Sequence, residues 1–119
     1  MTTINTSQTL LTAVAAGSTQ TSPSRNVSRQ TFIGIQADIS GAAGLSGVLK
    51  LQGRVGTLGF SDVYDSAGNQ VQVTVAGLTG TGSYVLNMAN ICFDDFQVVW
   101  TPSAGTGTLT AQYRTKEVR

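Results

Sequence analysis

The sequence predicts an all-β protein, an antiparallel β-sandwich of jelly-roll or Greek-key order with an extended N-terminal arm. Three observations carry that reading. Apolar residues recur at every second position in several short runs, as in strands with one face on a core and one in water. Glycine-rich breaks separate the runs at about 8–12 residues, the spacing of all-β folds. No stretch shows a helical repeat, and the 14 glycines would penalise helix interiors by roughly 1 kcal/mol each.

Residues 1–30 come first and differ from the rest. They are rich in Thr, Ser and Gln and contain Pro23, a composition too polar to bury a core of its own. An extended arm is expected here, with Gln8 to Val14 (QTLLTAV) apolar enough for one strand. Stretched out, thirty residues reach about 100 Å, ample for exchange between subunits. Leu10, Leu11 and Val14 are the candidate assembly contacts. Arg25 and Arg29 are the candidate donors of charge-assisted hydrogen bonds to a neighbour.

The sandwich domain is assigned to residues 31–119. In Thr31 to Ile39 (TFIGIQADI), Ile33, Ile35, Ala37 and Ile39 share one face, with Phe32 as an anchor. Gly47 to Val55 (GVLKLQGRV) turns Leu49, Leu51 and Val55 inward and Lys50, Gln52 and Arg54 outward. Asp65 to Gln70 (DSAGNQ) is the tip of a hairpin, since Gly and Asn accept positive φ. Val71 to Val75 repeats the alternation with three valines. Phe96 to Lys116 (FQVVWTPSAGTGTLTAQYRTK) reads as two strands around a Pro/Ser/Gly turn. SGAAGLSG (Ser40–Gly47), GLTGTG (Gly77–Gly82) and SAGTG (Ser103–Gly107) are the other predicted breaks. Trp100 shares its face with Phe96 and Val98, which places it in the core; a sugar-stacking Trp is the functional alternative.

At 119 residues this is a single-domain length, able to bury roughly two-thirds of its unfolded surface. Charged residues make up 11% against a usual ~25%, so the surface is neutral and hydrogen-bonding. The net charge of +1 offers no electrostatic footprint for nucleic acid. The cations are unevenly placed: Arg25 and Arg29 lie early, and Arg114, Lys116 and Arg119 close the chain. The plain reading is solvated tails around a mildly acidic core; the sharper one is that the basic termini dock on acidic neighbours in an assembly. The single Cys92 forbids an intrachain disulfide, suggests a reducing compartment and is expected to be a small buried hydrophobe. Nothing approaches the 18 or more apolar residues of a membrane helix. LLTAVAAG (Leu10–Gly17) resembles a short signal core but lacks the basic lead-in of an exported one.

The residues point away from catalysis. The chain has no His, which removes the commonest general base and zinc ligand. Asp62 with Asp65 and Asp94 with Asp95 are pairs local in sequence, whereas a glycosidase needs carboxyls facing across a cleft. DVYDSAGN lacks the alternating ligands and closing Glu of a calcium loop. GLTGTGSY has no Lys in the phosphate-loop position and no helix after it. No enzyme activity, cofactor, metal site or small-molecule substrate is expected.

One resemblance adds to this. The stretch from about 47 to 116 resembles small β-sandwich virion structural proteins of tailed bacteriophages. The matching steps are LQGR, Phe60-Ser61-Asp62, GSYVLN (Gly82–Asn87) and VVWTPSAGTGTL (Val98–Leu109), the last being the most specific. Where that class often carries a longer turn before the aromatic, this chain has GRVGTLGF, the loop at which related sandwiches bind ligand. The resemblance implies a capsid decoration or cement protein, made in the host bacterial cytoplasm and resident in the virion. It implies a homo-oligomer whose partners are other virion proteins, either the major capsid protein or tail and neck components. Neither nucleic acid nor membrane is implied. A tail-fibre component binding a host receptor or glycan is the alternative.

Overall fold

The computed structural model describes residues 3–118, and Arg119 of the basic C-terminus lies outside them. The elements are β1 (Thr3–Ala15), β2 (Gln20–Thr21), β3 (Arg25–Asn26), β4 (Phe32–Arg54), β5 (Ser61–Asp62), β6 (Gln72–Ala89) and β7 (Asp95–Val118). All pairings are antiparallel and form one sheet. β4 runs down its middle with β7 along one side and β6, then β5, along the other. β1, β2 and β3 follow one another along the far side of β7.

The predicted breaks at Ser40–Gly47, Gly77–Gly82 and Ser103–Gly107 are not turns. β4 is 23 residues long and β7 is 24, and each passes straight through its glycine-rich segment. Phe96 to Lys116 is therefore one strand, not a hairpin. The glycines form bulges instead, adding a residue to one strand without ending its ladder. Positive φ occurs at Ala13 in β1, Gly41 and Gly44 in β4, Gly77 and Gly80 in β6, and Gly105 in β7. The register shifts of β4, β6 and β7 fall at the same level, and those of β1 lie just beside it, opposite Leu109–Gln112. They form a crease across the sheet.

The crease folds the sheet onto itself. A straight strand of 23 residues would span about 75 Å at ~3.3 Å per residue, yet the longest dimension is 45 Å. Phe96 and Tyr113 lie on the same strand, and their rings meet edge to face at 5.0 Å. The two layers of the sandwich are thus two halves of one sheet. Parity follows the bulges. Ile33, Ile35, Ala37 and Ile39 are buried, then Ala42, then Leu45, Leu49 and Leu51. Two single-residue slips restore odd-numbered burial in the second half, because each slip exchanges the faces of a strand.

Trp100, Phe96, Ile35, Leu45, Leu51, Leu109, Val27 and Val98 are the largest fully buried side chains, each contributing roughly 1.5–3 kcal/mol on transfer from water. Trp100 packs over Gly47, where a Cβ would come within 2.7 Å of the indole. Its Nε1 donates to Ala16 O at 2.7 Å, so the one polar atom of the ring is satisfied in the core.

Residues 8–27 close the other side of that core. Leu10, Leu11, Ala16 and Val27 are buried. Pro23 interrupts the pairing between β2 and β3, a place tolerated on a sheet edge. Ser22 bridges the gap: its N donates to Val98 O, and its Oγ accepts from Val98 N at 2.9 Å. The tip at Asp65–Gln70 forms as expected, with Asp65 Oδ1 accepting from Ala67 N and Asn69 N and a bridge between Tyr64 and Gln70. Three assignments differ. Val55 is 58% exposed because β4 ends at Arg54 and Gly56 turns the chain at φ +60°. Phe32 lies on the outer face, and Cys92 is exposed in the loop after β6.

Gly105→Ala tests the crease. Its Cβ would collide with the Gly44 carbonyl and lie 2.7 Å from Ala43 O, at φ +81°. The substitution should lower unfolding free energy by about 2–4 kcal/mol. Gly41→Ala, with open space around it, should cost about 1 kcal/mol. Urea midpoints at unchanged m-value measure both, and equal costs would show that the Gly44–Gly105 approach contributes nothing.

Candidate interaction surface

The outer face of one layer is set by register. Three cross-strand rows run β6–β4–β7: Ala89–Phe32–Lys116, Asn87–Gly34–Arg114 and Val85–Gln36–Gln112. The side chains of each row point the same way, because directly paired residues share a face. Gly34 leaves the centre bare, with depressions of about 390 and 290 Å³ beside it. A Cβ there would stand 3.1 Å from Asn87 Oδ1. Phe32 is 38% and Val85 57% exposed. Lys116 Nζ lies 5.7 Å from the centre of the Phe32 ring, and among the described residues neither Arg114 nor Lys116 forms an ion pair. Two apolar side chains and two cations around a dimple make a surface suited to an apolar segment flanked by acid groups.

A second apolar patch lies at the end of the sandwich opposite the crease. Val55, Leu58 and Tyr64 are exposed around Met88 and Phe93. Phe93 sits on Gly53, where a Cβ would be 2.8 Å from its ring. Polar ties hold the base of this end. Arg54 Nε donates to Asp95 Oδ2 at 2.9 Å, Asn26 Nδ2 donates to Asp95 Oδ1 at 3.1 Å, and the Arg54 guanidinium lies 4.6 Å over Phe60. Arg54, and then Asn26, hold the Asp95 carboxyl below the usual carboxylate range. Asp62 is lowered in the same way, first by Gln52 and then by Lys50 at 3.2 Å.

The assembly contacts expected from sequence fall in different places. Leu10 and Leu11 belong to the chain's own core, and Val14 is half-buried against it. Arg25 is half-buried and donates through Nη2 to Thr9 O within the same chain; Arg29 is exposed. Sequence reading noted the basic end but missed Phe32 and Val85 as surface residues. In Ser83–Leu86 (SYVL), three consecutive apolar residues hide which face is outward. Among the described residues, no three His, Cys, Asp or Glu side chains gather as a metal site.

No family model matches the chain, and no curated protein matches it in sequence. Solved structures share its fold. YomS, a protein derived from the SPBc2 prophage, superposes with a TM-score of 0.62 at 13% identity, over 98% of this chain and 96% of its own. VP2 of the infectious bursal disease virus subviral particle gives 0.54 at 12% identity, over 97% of this chain and 32% of that one. A Gt-strain structure of the same virus gives 0.51. The fold is that of phage-derived and viral structural proteins. At these identities the fold is what is shared.

Two outcomes follow. Deleting residues 1–30 should leave a chain that does not fold, because it exposes the core beneath Leu10, Leu11 and Val27 and removes the acceptor of Trp100. Red-shifted, quencher-accessible Trp emission checks this; a native-like spectrum would make the segment a detachable arm. Asp95, with a depressed folded pKa, contributes stability at neutral pH that is lost as pH falls below about 4. Asp95→Asn should lose stability at neutral pH and show a shallower acid limb in urea titrations.

Proposed function

We propose that this chain is a structural protein of a bacteriophage virion, a capsid decoration or cement protein that acts through protein–protein contacts and catalyses nothing. The observation that carries the reading is the end-to-end correspondence with a prophage-derived protein, in a chain whose Gly47–Lys116 segment carries phage-type strand motifs. The mechanism is mechanical. A creased sandwich, with 11% charged residues, presents neutral faces to neighbours. The Phe32, Arg114 and Lys116 surface docks on an acidic-rimmed apolar site of the major capsid protein or of a tail or neck component. Contacts that are weak singly hold firmly when repeated on a symmetric lattice.

The alternative, a tail-fibre module for a host receptor or glycan, rests on one observation, the exposed Tyr64. Trp100 is fully buried and unavailable for sugar stacking. An open groove of about 610 Å³, lined by Lys50, Asp62, Gln70, Gln72, Thr74 and Thr101 among others, has no aromatic wall.

Mass spectrometry of gradient-purified particles should find the protein on virions at a symmetric copy number. Arg114→Glu with Lys116→Glu should reduce occupancy at least several-fold while the free protein keeps its melting temperature. Absence from particles would overturn the virion reading. Presence with unchanged occupancy of the double variant would leave the virion reading standing and overturn the docking surface.

A further inference from the structure

β6 is an edge strand without the usual guards. It pairs with β4 on one side, and among the described residues no strand pairs with the other. Edges are normally protected by charged residues, prolines or bulges, because a bare row of N–H and C=O groups accepts another strand. Between Asp65 and Asp94 the sequence contains no charged residue and no proline. The bulges at Gly77 and Gly80 protect the middle of the strand. Beyond them, Gly82 to Ala89 runs in unbroken register against Phe32–Ile39. The Tyr64–Ser66 loop stands beside Asn87–Asn90 and limits the run.

The other edge is less available. β1 is interrupted by register shifts between Thr9 and Val14, and its Thr9 carbonyl is already taken by Arg25.

We propose that two copies of this chain pair through β6, antiparallel about a two-fold axis at Val85, making one continuous sheet across the dimer. The register is set by the residues. An axis at Val85 keeps inward residues opposite inward ones, as the pleat requires. It sets Val85 against its twin on the outer face, with Ser83 opposite Asn87 on either side. On the inner face, Tyr84 meets Leu86. Each pair is apolar with apolar or hydroxyl with amide, and no charge meets a like charge. Val85, 57% exposed in the single chain, is covered. An isologous contact of this kind closes at two copies. The pairing does not depend on the virion reading, since it arises from the edge alone.

Charge placed at the axis tests it. Sedimentation equilibrium of the full chain should show a species of twice the 12.3 kDa chain mass. Val85→Lys and Val85→Glu should each be monomeric, since each sets two like charges face to face. Buried Trp100 emission reports that both are folded, as an exposed position allows. An equimolar mixture of the two should restore the dimer, because residue 85 faces residue 85. In the wild-type dimer, amides of Gly82–Met88 that point away from β4 should exchange more slowly than in either variant. A monomeric wild-type chain would overturn the proposal. So would a dimer that survives Val85→Lys, failure of the mixture to pair, or open-ended polymers of the kind that β6-to-β1 addition would produce.

Discussion

The packing of Gly105 in the crease, where a Cβ would collide with the Gly44 carbonyl, is the constraint on which the rest of this structure depends. Two central strands must bend together, at the same level, without losing their pairing. Bulges on β4 and β7 make the bend, and glycines allow it, because one chain lies where the other's Cβ would be. Without the crease, the apolar faces of the two halves would look out from one long flat sheet. With it, they face each other, and residues as far apart as Phe96 and Tyr113 pack edge to face. Tyr113 is buried enough to raise its phenol pKa and donates to Gln8 at 2.8 Å, so the crease also anchors β1.

The first thirty residues are where a polar composition is least informative. Across residues 8–30 most Thr, Ser and Gln side chains face water along a sheet edge, and of that span Leu10, Leu11, Ala16, Ser22 and Val27 are buried. That is enough to seal the core over Trp100 and to supply the acceptor for its indole. Charge has little part in the fold. The two ion pairs among the described residues, Lys50–Asp62 and Arg54–Asp95, are partly exposed, and such pairs add little. Burial and backbone pairing carry the stability.

This economy bears on function. A chain that spends few charges inside or out keeps neutral faces and long uncharged edges, which are hazards for a free protein and assets for one meant to be packed against others. The fold itself is shared with a prophage-derived protein and with VP2. Arg114 and Lys116 stand out against that background because they are cations without partners among the described residues, set beside exposed Phe32.

The sequence by itself determined the fold class and the inward face of most strand segments, because side-chain alternation is a local property that burial on one face imposes directly. Ile33 to Ile39, Leu49 with Leu51, and Phe96 to Trp100 could all be read that way, as could the Asp65–Gln70 turn. Only the tertiary structure decided whether a glycine cluster ends a strand or bends it. A positive φ serves a turn and a bulge equally, and the difference lies in whether partner strands continue on both sides. The same holds for the surface. Phe32 and Val85 are apolar residues that alternation alone would place in either layer. The register of β6, β4 and β7 brings them out beside Arg114 and Lys116, and that register is set by contacts between residues far apart in the chain.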